Sequence, residues 1–301
     1  LNENIGSMYN RGMEYNINAG VIRNKDFQWN VNLNVTTLKN VVNELAPGVN
    51  QFVSASDLET VNITRLGNSI GSFFVVRTAG VNQENGNRIF INAAGQQVQY
   101  QHVVPAGQSR WRFMDGTPAP AVGGQDAVLY RPSQPRFFGG FENSFRYKNF
   151  DLGVLLTFQG GNYVYNGTQA GLRDQRFWNN STDILRSWKK PGDVTDIPLA
   201  IWGDNVSNGS AFPIDVNVQK GDFIKVRNAY IGYSIPGSIL SKARISNARF
   251  YVQGQNLAIF SNYAGPDPEV SSNGNGNTNP GVDRNTIANG RTITVGLNIG
   301  F

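Results

Sequence analysis

Few residues in this chain are placed to do covalent chemistry. His102 is the single histidine, and no cysteine or second histidine stands at ligand spacing from it, so neither a metal-binding nor a base role is indicated. No nucleophile elbow, phosphate-binding loop or zinc motif is present, and Gly274-Asn-Gly276 is turn composition rather than a phosphate cradle. Asp267 and Glu269, two apart in Gly265-Pro-Asp-Pro-Glu269, could lend carboxylate oxygens to calcium, although such acids more often cap loops. No catalytic residue and no cofactor are implied, and the expectation is a protein that is not an enzyme. The chemistry left is recognition. Tyr163, Tyr165, Phe177, Trp178, Trp188 and Trp202 lie within one stretch, with Asn and Gln between them. Aromatic faces stack on sugars and anchor protein interfaces, though loop packing is the commoner role for any one of them.

Those side chains need a scaffold, and the sequence supplies strands. In Arg291–Phe301, Ile293, Val295, Leu297, Ile299 and Phe301 alternate with Thr292, Thr294, Gly296, Asn298 and Gly300. A period of two gives one greasy and one wet face, and the length fits the roughly 9–11 residues of a tilted membrane strand. Residues 12–22 and 27–36 alternate likewise and join through Asn24-Lys25-Asp26 as a hairpin whose wet face is rich in asparagine. Residues 137–147 and 150–159 form a second hairpin around Lys148-Asn149, followed by strands over 222–235 and 247–258. A phase change near Asn228 predicts a bulge. In 38–135 the pattern is weaker: a strand within Ser69–Val81, pairing of 57–66 with it, a small hairpin at Arg88–Tyr100, and otherwise a long loop over 82–135. The stretch 161–220 is read as an excursion with one helix, about Ser181–Lys190, capped by Asn180 or Ser181.

Composition bounds the class. Only 16% of the 301 residues are charged, against roughly 25% in ordinary soluble domains. No run approaches the length of a membrane helix. The net charge of +5 is scattered, which argues against nucleic acid as a partner. Cysteine is absent, as suits an oxidising compartment. No export signal opens the sequence, so it reads as a portion of a longer chain. Short connections (148–149, 236–245) alternate with long ones (82–136, 161–221, 259–290), the habit of a membrane barrel with tight periplasmic turns and long outer loops.

Five segments, in order, resemble one family. They are Asn4-Ile-Gly-Ser-Met-Tyr-Asn-Arg-Gly-Met-Glu14; Gly139-Gly140 through Tyr147-Lys-Asn-Phe-Asp151; Phe223-Ile-Lys-Val-Arg-Asn228 through Gly232-Tyr-Ser-Ile-Pro236; Tyr251-Val-Gln-Gly-Gln-Asn256; and Gly265-Pro-Asp-Pro-Glu269. The chain thus resembles the SusC/RagA-like TonB-dependent outer-membrane transporters of Bacteroidetes. The resemblance implies an all-β fold: the C-terminal part of a plugged transmembrane antiparallel barrel of about 22 strands, with long extracellular loops. It implies active import of glycans or peptides across a Gram-negative outer membrane, with a SusD-like surface lipoprotein as lid. TonB would engage through an N-terminal plug and TonB box that these residues lack. Ile293, Val295, Leu297, Leu152, Val154 and Leu156 are expected to face lipid, and Asn298, Thr294, Gln159 and Asp151 the lumen. The six aromatics of 163–202, with Asp267 and Glu269, are expected on the outer surface that meets lid or substrate, and Phe301 resembles a barrel-assembly signal. Two other readings are open: a passive porin or stand-alone small barrel, and a secreted β-rich binding module such as a lectin or adhesin.

Overall fold

The alternating segments pair, each with its neighbour in sequence. In the computed structural model, which describes residues 6–54, 60–241, 244–274 and 276–301, seven strands form one antiparallel sheet. They are Glu14–Arg23, Phe27–Thr37, Phe137–Tyr147, Phe150–Gly160, Phe223–Ser234, Asn247–Ser261 and Thr292–Gly300, in that order across the sheet. Asn4 and Ile5 of the first resembling segment, and residues 57–59 of the expected 57–66 strand, lie outside the described residues.

Register divides the sheet into two chemically distinct faces. Phe145, Leu152, Ile231, Val252 and Val295 stand opposite one another in a row. The next row runs Val31, Asn143, Val154, Ala229, Gly254 and Ile293. This face is open: Val295 is 63% exposed and Ile231 52%. An uncovered apolar face seven strands wide far exceeds what a soluble surface tolerates. Aromatic rows bound it. Phe27, Tyr147, Phe150, Tyr233 and Phe250 cross five strands at one level, and Phe158 and Phe260 flank Ile224 at the other. Eight residues from Phe150 to Phe158 span about 27 Å of strand, or roughly 20 Å of height at a tilt of about 40°, close to the apolar band of a membrane barrel. Asn143 is the polar intruder here, and the Trp29 indole N–H donates to its Oδ1 at 3.1 Å.

The opposite face is wet. Asn18, Asn32 and Glu142 form one row and Gly20, Asn30 and Ser144 the next. Gly153 lets the Tyr230 ring lie across the sheet, since a Cβ there would fall 2.3 Å from it. Over Gly232 the Arg249 guanidinium reaches Asp151, its Nε donating to Oδ1 at 3.0 Å. Thr294, Asn298, Gln159 and Asp151 share this face by register, opposite to Leu152, Val154 and Leu156. The expected bulge is present: against Phe150–Gly160 the register passes from Leu155 opposite Asn228 to Leu156 opposite Val226, with Arg227 the extra residue.

Connections of a few residues (24–26, 148–149) and the stretch 235–246 leave one end of the sheet; 38–136, 161–222 and 262–291 leave the other. The long connections are not loops but a folded cap. The Arg88–Ile91 and Gln97–Tyr100 hairpin is present as expected, but it lies within a four-stranded meander with Arg77–Val81 and Trp111–Phe113. Ser69–Val81 holds two strands, Ser72–Val75 and Arg77–Val81, in different sheets. Asn62–Arg65 pairs with Ser72–Val75, as expected, and also with Gln51–Ser54. Tyr163–Asn166 lies between Val218–Lys220 and Val282–Asp283. Val61, Phe73, Val75, Tyr165, Val218 and Val282, drawn from all three connections, close one apolar core. Each such side chain contributes about 1.5–3 kcal/mol by leaving water, so the connections cohere as one body. The helix expected at 181–190 is only a 3-10 turn, Thr182–Arg186, and a six-residue helix, Gly167–Leu172, stands where none was expected.

Candidate functional surface

The aromatic stretch begins where the chain leaves Gly160. Asn166 caps the short helix by accepting from Gln169 N at 2.8 Å. Beyond it, Asp174, fully buried, takes the Arg176 guanidinium at 2.6 Å and the Ser210 hydroxyl at 2.6 Å. Gln175 N donates to Asp204 O at 3.0 Å and Gly203 N to Gln175 O at 2.9 Å. That backbone pairing joins the segment that carries Phe177 and Trp178 to the one that carries Trp202. The three are 68%, 58% and 79% exposed, and the Phe177 and Trp178 rings lie 5.0 Å apart. The Arg176 guanidinium sits 5.4 Å from the Phe177 ring centre.

The other aromatics go elsewhere, which corrects the expectation of one aromatic surface. Tyr165 is wholly buried in the cap core. Trp188 is 8% exposed; it packs on Gly86, where a Cβ would lie 2.4 Å from its ring, and its indole N–H donates to Gln83 O at 2.9 Å. Tyr163 is half-buried under the Arg131 guanidinium, 5.2 Å away. Trp188 stands at helical spacing from Ile184 and Leu185, but the segment forms only a 3-10 turn at Thr182–Arg186, and the indole turns onto Gly86.

Charge holds these segments in place. Arg88 is buried, and its guanidinium donates to Ser207 O at 2.9 Å and to Asp196 O at 2.8 Å, tying the meander to the aromatic stretch. Burial, then the neighbouring Arg173, pushes Arg88 down to about 10. The hydrogen bond from Arg173, 2.7 Å from Oδ2, holds the Asp183 carboxyl below its usual range. His102, assigned no role by its sequence context, accepts or donates at Nδ1 with the Tyr100 hydroxyl at 3.0 Å and lies against Gly203, next to Trp202.

Asp267 and Glu269 meet cations of the wall rather than one another's metal. Lys225, 3% exposed, reaches Asp267 at 2.8 Å and Glu269 at 2.5 Å, and Arg227 reaches the other Glu269 oxygen at 2.5 Å. Two carboxylates already paired with two cations offer calcium no spare negative charge, and Lys225 and Arg227 would repel it, which argues against calcium here. No group of three or more acidic, histidine or cysteine ligands is found among the described residues. The pair instead fastens the 262–291 connection to the wet face of the wall. Sequence reasoning missed this because Lys225 lies 42 residues from Asp267; the signal was Lys225 falling on the wet face of its strand. Phe301 lies exposed beyond the last strand.

No family model matches the chain. It is 30% identical to TonB-dependent receptor P3 of Formosa agariphila over 308 residues, which cover 99% of this chain and 29% of that protein. It is 26% identical to TonB-dependent receptor SusC of Bacteroides thetaiotaomicron, covering 100% of this chain and 27% of the relative. The RagAB peptide transporter structure superposes with a TM-score of 0.76 at 21% identity, over 99% of this chain and 30% of that one. These relatives are receptors and transporters rather than enzymes. The chain, spanning less than a third of the length of the relatives it matches, belongs to the TonB-dependent receptors.

Proposed function

We propose that this chain is the C-terminal barrel portion of an outer-membrane importer that takes up large nutrients, glycans or peptides, together with a SusD-like surface lipoprotein. The observation that carries this reading is the sheet itself. One face is apolar, uncovered and bounded by aromatic rows; the other is lined with asparagine, tyrosine and paired charges; and a folded cap closes one end. Backbone in lipid must have every N–H and C=O paired, so the open edges at Glu14–Arg23 and Thr292–Gly300 would join further strands of the same barrel. TonB would act through a plug outside these residues. Phe301, where it ends the natural chain, would serve as the assembly signal. A secreted lectin or adhesin would not leave this apolar face in water.

The docking surface for lid or substrate is the exposed group Phe177, Trp178 and Trp202. Tyr165 and Trp188 support it from within, so deleting the stretch would unfold the cap rather than test it. The informative variant replaces all three exposed rings with alanine. The expected result is a correctly assembled transporter that no longer co-purifies with its lipoprotein or no longer supports uptake. Wild-type partner recovery and uptake in that variant would remove the assignment.

A further inference from the structure

The first two wall strands continue past the membrane band. Gly6–Arg11 and Lys39–Leu45 pair antiparallel. Tyr15 stands opposite Val35, Thr37 N donates to Met13 O at 2.9 Å, and Arg11 stands opposite Lys39. The register is therefore unbroken from the wall into this extension. Period two then places Arg11 and Lys39 on the same face as Tyr15, Ile17, Leu33 and Val35, the apolar one. Arg11 lies four residues beyond Tyr15, about 13 Å of strand, outside the level of Phe158 and Phe260, in whose row Tyr15 stands.

Two cations directly opposite in an antiparallel pair repel. Both are exposed, and among the described residues neither meets a carboxylate. Glu14 is near in sequence but pairs with Thr36 on the opposite face. The Asn40 amide donates to Asn10 at 2.8 Å on the reverse side, a further tie between the two strands next to the cation pair. Beside Lys39 opens a cleft of about 390 Å³ between 38–40 and 132–136, with Arg136 as a further cation on its lining. A like-charge pair held opposite in register at membrane height is stabilised when an anion bridges it, and the anions at that height are lipid phosphates.

We propose that Arg11 and Lys39 bind the phosphate of a lipid headgroup that carries net negative charge, in the leaflet next to the cap. The proposal rests on reading the sheet as a membrane wall. The test uses the full-length natural protein in detergent, titrated with micelles containing phosphatidylglycerol or phosphatidylcholine, with melting temperature as readout. Wild type should be stabilised by phosphatidylglycerol and not by phosphatidylcholine. Arg11→Gln or Lys39→Gln should weaken the apparent affinity about fivefold each, and the double variant roughly 30-fold. Lys39→Glu should raise the melting temperature without anionic lipid, by replacing repulsion with an ion pair, and abolish the response to it. Undiminished phosphatidylglycerol affinity in the double variant overturns the proposal. So does an equal shift from inorganic phosphate at matched concentration, which would mark a free-anion site. If no protein folds as a heat-modifiable barrel in micelles, the wall reading fails first and this proposal with it.

Discussion

Placing a charge on each face of the wall in turn gives the sharpest energetic test. Val154 is the residue for it. It stands four residues from Phe150 and four from Phe158, so about 13 Å of strand separates it from either aromatic level. Its row, Val31, Asn143, Val154, Ala229, Gly254 and Ile293, crosses the middle of the apolar face. Val154→Arg would leave a guanidinium too deep for its stem to carry it to either rim. The expected cost is about 2–4 kcal/mol, or roughly 30- to 900-fold in the folded ratio. Val295 lies only one row from the level of Phe250 and Leu297. An arginine there can reach the interface, so the cost should be smaller, about 1–2 kcal/mol. Thr294, on the wet face opposite Gln253, should accept arginine at well under about 1 kcal/mol. The assay is reversible urea unfolding of the full-length protein in lipid vesicles, read by heat-modifiable mobility on gels. The predicted order is Val154, then Val295, then Thr294. Equal costs at Val154 and Thr294 would refute the two-faced wall.

Other expectations follow from single contacts. Trp29→Phe leaves Asn143 without its donor on the apolar face and should cost about 1–3 kcal/mol, whereas adding Asn143→Leu to it should recover most of that loss in the same unfolding assay. Glu269→Gln removes one of two carboxylates from buried Lys225 and, among the described residues, the only one from Arg227; a stability loss approaching about 3–5 kcal/mol and faster protease cutting in 262–291 are expected, and unchanged cutting would show that the pairs do not fasten the segment. Asp183 is held below its usual range by Arg173, so its contribution is present above the unfolded value near about 4 and disappears as pH falls through the lower folded value. The cap's melting temperature should therefore fall with acidification in that window, and Asp183→Asn should flatten that part of the profile.

The wall was legible in the sequence because each strand is long and buries or exposes alternate residues against chemically different surroundings. Leu152, Val154 and Leu156 carry that message over a single strand, and even the slip at Arg227 left its mark as a phase change. The cap was not legible for the opposite reason. Its strands are mostly three to five residues long, as in Asn62–Arg65 and Ser72–Val75, too short for a period to emerge. Its cores also draw single residues from distant segments: Tyr165 meets Val61 and Val282 in one cluster. Ile184, Leu185 and Trp188 sit at helical spacing, yet Trp188 turns inward onto Gly86 while Leu185 stays exposed. Local pattern could not tell these from a helix face. Of the six aromatics in 163–202, the sequence could not separate Phe177, Trp178 and Trp202, which are exposed, from Tyr165 and Trp188, which are buried in the cap.

The natural chain lacks cysteine across these residues, so single cysteines can be introduced along Phe150–Gly160 and at Trp202 and read without background. The deciding measurement is labelling of these variants, assembled in the full-length protein in intact cells, with a membrane-impermeant maleimide and, separately, with a probe confined to the lipid phase. Cysteine at 152, 154 and 156 should react with the lipid probe alone; cysteine at 151, 157 and 159 should spare the lipid probe; and cysteine at 202 should label from outside the cell. Uniform reactivity along the strand, or a position 202 silent to the external reagent in assembled protein, would contradict the account of a membrane wall whose cap faces outward.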